Sequence, residues 1–209
     1  LNRLARARGA TLFMVLEAAF ATLLSRLGAG GDVAVGTAVA GRPRKELEGL
    51  AGFFVNTLAL RNRIDLETTF EAHLDTTRQM VLDAYAHEAV PFELVVEAVA
   101  PARALSHAPV IQVMLVLQNT PDRDVGLAFG GTRAVALENA GAVAAKFELS
   151  LSLAETSEGI SGHLTYARQV FDPATAERIA AMFTRVLEAV AVAPSTRLGD
   201  LPLLDAQET

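Results

Sequence analysis

At 209 residues, 51% of them apolar, the chain is long enough for one large domain or lobe and can fill a core, which excludes a disordered polypeptide. Its 24 acidic residues outnumber 18 basic ones for a net charge of −6, and the basic residues are scattered singly, which excludes a nucleic-acid or anionic-membrane partner drawn by clustered Lys and Arg. The absence of cysteine excludes disulfides, thiolate metal sites and a cysteine nucleophile, and fits a reducing cytoplasm.

No unbroken run of 18 apolar residues occurs, which argues against a membrane-spanning segment. Leu1 to Arg8 is basic but leads into an amphipathic segment rather than a signal core, so it reads as chain cut from something larger. From Thr11 to Leu27 the apolar positions 12, 13, 16, 20, 23, 24 and 27 follow one helical face, with Thr11 as N-cap and Gly28 as the stop. Ala29-Gly30-Gly31 lacks any phosphate-loop pattern and reads as a helix-to-strand turn into a strand over 32–39. Arg44 to Leu50 is a short charged turn. Phe53 to Leu60 is apolar except for Asn56 and Thr57, and reads as a strand buried on both faces. A buried Asn must have its amide satisfied, so Asn56 either bonds to neighbouring backbone or faces a polar tunnel.

Apolar positions 66, 70, 74, 77, 81 and 85, with Thr at 77, recur at three or four, predicting a second long helix on which His73 falls on the solvated side. Pro91 opens a short helix over 92–99. Val110 to Leu117 is a buried strand interrupted by Gln112, and Asn119 to Gly131 is a loop of unusual length. Alternation over 147–153 and 160–166 predicts an antiparallel hairpin. Asp172 and Pro173 then begin a helix whose stripe is Ile179, Phe183, Val186, Leu187 and Val190, and Pro194 to Thr209 reads as an extended tail.

Gly52-Phe53-Phe54-Val55-Asn56-Thr57 resembles the Gly-x-Phe-Val-Asn-Thr motif of nonribosomal peptide synthetase condensation domains. Two further blocks are similar in the same order. His87-Glu88-Ala89-Val90-Pro91-Phe92-Glu93 keeps the His, Pro, Phe and Glu of the family's second block. Arg103-Ala104-Leu105-Ser106-His107-Ala108-Pro109 keeps the Arg, Ser and Pro of its third, with Ala104 and His107 where Asp and Arg are usual. The family's His-His-x-x-x-Asp-Gly motif is missing around His73, His87, His107 and His163, so the chain resembles the C-terminal half of such a domain.

The resemblance implies an α/β lobe of the chloramphenicol-acetyltransferase-like type, a mixed sheet flanked by helices at 11–27, 67–85 and 173–191. It implies a lobe over 1–195 and a tail over 196–209 leading toward a following domain. The implied reaction is peptide-bond formation between a carrier-bound donor thioester and an acceptor amine, with no catalytic residue in this chain. This half would supply a tunnel wall, a latch within the 119–131 region and a donor-carrier docking face. Implied partners are the N-terminal lobe, peptidyl carrier domains and an adenylation domain. No cofactor is bound directly; phosphopantetheine would arrive on the carriers.

Arg42 is the candidate for an ion pair with the Asp of the missing motif, or else a turn residue beside Pro43. Phe54, Asn56 and Thr57 are candidates for tunnel or lobe interface. Gln112 and Gln118, polar in or beside a buried strand, are further candidates, with satisfaction of edge backbone as their other role. His87 with Glu88 and Glu93 lacks the spacing of a metal site, and no Gly-x-Ser-x-Gly elbow accompanies Ser106 and His107. Rival readings are a non-catalytic platform that recruits carriers or partner enzymes, and a lobe of an epimerising relative.

Overall fold

The computed structural model describes residues 1–42, 44–47, 49–99, 108–118 and 144–204. The third block over 103–107, the long loop over 119–131 and the last five residues lie outside the described residues. After a short N-terminal helix α1 (Asn2–Ala7) come α2 (Leu12–Leu24), β1 (Asp32–Val39), β2 (Asn56–Arg63), α3 (Phe70–Ala86) and α4 (Phe92–Val99). β3 (Val113–Gln118), β4 (Leu149–Thr156), β5 (Gly159–Tyr166) and α5 (Pro173–Val192) follow.

The strands form one sheet in the order β2-β1-β3-β4-β5. Its centre is parallel, β1 with β3 and β3 with β4, while hairpin-like antiparallel pairs close both edges, β1 with β2 and β4 with β5. This is the mixed α/β sheet with long helices that the sequence predicts, with the chloramphenicol-acetyltransferase-like fold. Leu149, Leu151 and Leu153 point into the core while the intervening serines do not, the period-2 consequence of burying one face.

Helix α2 is the axis of the core. Thr11 caps it by accepting from the Met14 amide at 3.3 Å, and every residue from Phe13 to Leu24 is buried between the sheet and helices α3 and α5. Phe20 meets Phe183 of α5 edge-on at 5.6 Å. The stretch Leu12–Ala29 is long and apolar enough in composition to cross a membrane, a property the unbroken-run criterion passes over because Glu17 and Arg26 interrupt it. Here most of it is core. A π turn over Ser25–Ala29, with Gly28 at φ 106°, ends the helix and delivers the chain to β1.

Three expectations need correction. β2 begins at Asn56 rather than near Phe53, and it is an edge strand buried on one face through Leu58, Leu60 and Asn62; Phe53 is 91% exposed. An apolar run does not reveal which strand ends up at an edge. His73 is buried at 4% exposure, not solvated, because α3 is covered by α2 on one side and β2 on another, so its inner face is wider than the apolar stripe. The final segment is not the extended tail the sequence predicts: it turns, passes through a 3-10 turn over Leu198–Asp200 and is fastened down as far as Leu201. Phe70 and Glu71 donate to the Thr196 and Pro194 carbonyls, Leu198 and Gly199 donate to Thr68 and Leu66, and Leu198 and Leu201 are fully buried.

Candidate functional site

The carboxyl ends of the parallel strands β1 and β3 open into a cleft of about 890 Å³, lined among others by Thr37, Val39, Val55, Tyr85, Glu88 and Gln118. The ends of parallel strands are a natural place for a ligand, because side chains diverge there and connecting loops wall the space. A second hollow of 430 Å³ adjoins it, sharing Val55 and Glu88 and lined by Phe54, Asn56, Thr57 and Glu93.

One asparagine braces the second hollow. Asn56 Nδ2 donates to the Glu88 and Val90 carbonyls at 2.8 and 2.7 Å, and its Oδ1 accepts from the Thr57 and Phe92 amides at 2.9 and 3.2 Å. The amide thus ties the start of β2 to the α3–α4 connection and caps the first turn of α4. Of the two readings open in the sequence, backbone satisfaction is met in full, and the residue also lines a hollow.

Arg42 organises the opposite wall. Its guanidinium donates to the carbonyls of Leu47, Leu50 and Gly52 and stands 4.2 Å over the Phe54 ring. Gly41 before it has φ 62°, and a Cβ there would overlap the Phe54 carbonyl, so the loop can close only on glycine. Gln118 ends β3 in the cleft. Gln112 lies at the other end of β3, about 20 Å away at strand spacing, where its Nε2 donates to the Ala108 carbonyl at 2.8 Å.

Tyr85 and Glu88 are cleft residues that sequence reasoning passed over. Tyr85 was counted as part of the apolar stripe of α3, but its position in the last turn brings it to the cleft. Burial, and then the Glu88 carboxylate, raise its phenol above the ordinary value. Of the three described histidines none lines the cleft: His73 is in the core, His163 is exposed on β5, and His87 ends α3 with Nδ1 2.8 Å from the Asp83 carbonyl. Among the described residues no group of three His, Asp or Glu side chains is placed to hold a metal. Among the described residues the two hollows offer shape, two carboxylates, a phenol and amides, which suits orientation of a reactant.

A family model described as the condensation domain matches residues 1–209, and the chain belongs to that family. A probable non-canonical nonribosomal peptide synthetase, CymA of Salinispora arenicola, is 44% identical over 214 residues, covering all of this chain and 3% of its own length. The four-domain nonribosomal peptide synthetase holo-AB3403 superposes with a TM-score of 0.87 at 23% identity, over 98% of this chain and 16% of its own. The X-domain in its complex with OxyB from teicoplanin biosynthesis gives a TM-score of 0.82 at 33% identity, over 97% of this chain and 45% of its own. The chain thus spans a small share of its full-length relatives and under half of that solved domain.

Proposed function

We propose that this chain is the C-terminal lobe of a condensation domain in a nonribosomal peptide synthetase, and that the cleft beside Asn56 is one wall of its reaction tunnel. The observation that carries the reading is a roomy, braced cleft at the ends of β1 and β3 that no described histidine lines. In the reaction, the acceptor amine attacks the donor thioester carbonyl, the C–N bond forms, the C–S bond breaks, and the amine's proton leaves with the thiol. An α-amino group with a pKa of about 7.7–8.0 is already partly neutral near pH 7. Holding two tethered reactants in register then supplies most of the help, worth about 7–11 kcal/mol.

The missing proton-handling histidine would come from the N-terminal lobe. Leu50, Phe53 and Val55 beside the cleft, with Val90, Leu94 and Val99 of the α4 region, are exposed at 41–91%, which supports a second lobe covering this side. Donor and acceptor thioesters would be delivered on phosphopantetheine arms of carrier domains, and the chain beyond the fastened Leu198–Leu201 stretch would lead toward an adenylation domain. Incubating this chain with both aminoacyl carriers should give no dipeptide above background, and adding the N-terminal lobe should restore it. Condensation by this chain alone would overturn the reading.

The X-domain likeness favours a second reading, a platform that recruits a partner enzyme instead of joining amino acids. A complete two-lobed protein that binds such a partner and fails to condense any carrier pair would decide for it.

A further inference from the structure

The larger cleft is electrostatically one-sided. Of its described lining residues only Glu88 is charged at neutral pH, and none is Lys, Arg or His. The Glu88 backbone is held on both sides, since its amide donates to the Tyr85 carbonyl at 3.1 Å and its carbonyl accepts from Asn56 Nδ2 at 2.8 Å. Glu88 is half-buried, yet nothing among the described residues hydrogen-bonds or ion-pairs with its carboxylate. Two basic groups beside the hollows are engaged elsewhere: His87 holds Nδ1 against the Asp83 carbonyl, and Arg42 turns its guanidinium to three carbonyls and the Phe54 ring. Asp32, Asp75 and Glu67 show what an acid on this chain does where an arginine is in reach, pairing with Arg61, Arg8 and Arg197.

Tyr85, one turn earlier, lines the same cleft and is 38% exposed. The Glu88 carboxylate is close enough to help raise its phenol, which therefore stays neutral and adds no second negative charge. A carboxylate beside a phenol ring attracts one kind of group, because a cation meets the first by charge and the second through the negative face of the ring. Walls that include Val39, Val55, Val116 and Leu117 keep water from screening that attraction fully. The attacking amine is not the cation that fits here. A carboxylate favours the protonated form of an amine beside it, and protonation occupies the lone pair that must attack. The group that matches the pair is a cation that takes no part in bond formation, carried on a reactant's side chain.

We propose that Tyr85 and Glu88 select a reactant with a cationic side chain, so that one of the two joined residues is a basic amino acid. The inference rests on the reading of this cleft as one wall of the reaction tunnel and adds to it the class of substrate. Glu88 supplies the charge, Tyr85 the ring, and the Asn56 brace fixes where both stand.

The test uses the two-lobed domain and three pantetheine amides, stable analogues of a carrier-bound thioester. N-acetylornithyl carries only a side-chain ammonium, norleucyl only the α-ammonium, and N-acetylnorleucyl neither. By calorimetry the first should bind about tenfold more tightly than the third, the worth of one charge-assisted hydrogen bond, and norleucyl should match the third. Glu88→Gln should abolish the advantage. Tyr85→Leu should reduce it roughly threefold, whereas Tyr85→Phe, which keeps the ring, retains it. Equal binding of all three amides, an advantage for norleucyl, or an ornithyl advantage that survives Glu88→Gln would each overturn the proposal. Dipeptide assays separate this outcome from failure of the underlying reading. A domain that condenses ornithyl and norleucyl carriers equally well overturns the substrate class alone, while one that binds N-acetylornithyl selectively yet condenses no pair keeps the cation selection and overturns the condensation reading.

Discussion

Strand β2 carries two asparagines six residues apart, and they teach opposite lessons. Asn56, in the family motif, is half-buried and makes four hydrogen bonds to backbone, so its amide is complete without any ligand. Asn62, in no motif, is fully buried and bonds to the Glu17 side chain of α2, leaving its own oxygen, one oxygen of Glu17 and the Thr77 hydroxyl unmet. Backbone supplies donors and acceptors at fixed, matched positions; side chains on separate helices meet only as well as packing permits. The motif residue braces the candidate site, while the unmarked residue shows what side-chain packing leaves unmet.

The contrast can be broken most strongly by titration. Burial lifts the Glu17 carboxyl from 4.5 to about 7, opposed only in part by the Asn62 hydrogen bond, and lowers His73 from 6.5 to about 4. A raised carboxyl keeps its proton in the folded state after the unfolded chain has lost it, so stability falls as pH rises from 4.5 to about 7. A lowered imidazole does the reverse, and stability is lost as pH falls from 6.5 to about 4. The two oppose each other between pH 4.5 and 6.5, and each is worth on the order of 3 kcal/mol. Glu17→Gln should therefore unmask a rise of stability with pH in urea unfolding, and His73→Phe a fall; profiles parallel to the parent in both variants would remove the far end of the comparison.

At the cleft end, Asn56→Ala should cost about 2 kcal/mol and speed amide exchange at 88–92, because four backbone groups lose their partner at once. Exchange rates there matching the parent would mean that the amide is not what holds the α3–α4 connection. A smaller effect is expected from Arg42→Lys, about 1 kcal/mol, since an ammonium keeps the charge but cannot fork onto three carbonyls and stack on Phe54. Thermal melts that leave this variant equal to the parent would show the clamp to be redundant.

Much of the architecture was legible in the residues. The Thr11, Gly28, Asp172 and Pro173 signals bracket helices whose apolar spacing reports the buried stripe, and alternation over 149–153 reports a strand with one buried face. Asn56, Thr57 and Gln118 were legible as candidates because polar groups in or beside an apolar run demand a partner, while Arg42 and Phe54 were legible only through the family resemblance. The structure brings these around the adjoining hollows and their loop, and leaves Gln112 at the far end of β3. Tyr85 and Glu88 were not legible as a pair, since a stripe position and a loop acid converge only when α3 ends beside β1.

What the amino-acid order determined alone was local: helix ends, strand periodicity, the family motif, and the fact that Asn56 must be satisfied somehow. Only the tertiary structure decided that β2 lies at an edge, that His73 and Glu17 are enclosed, and which asparagine is complete. Periodicity records which face of one element is apolar. Burial of a polar group depends on how many neighbours close over it, and those come from α2, α3 and β2 at once.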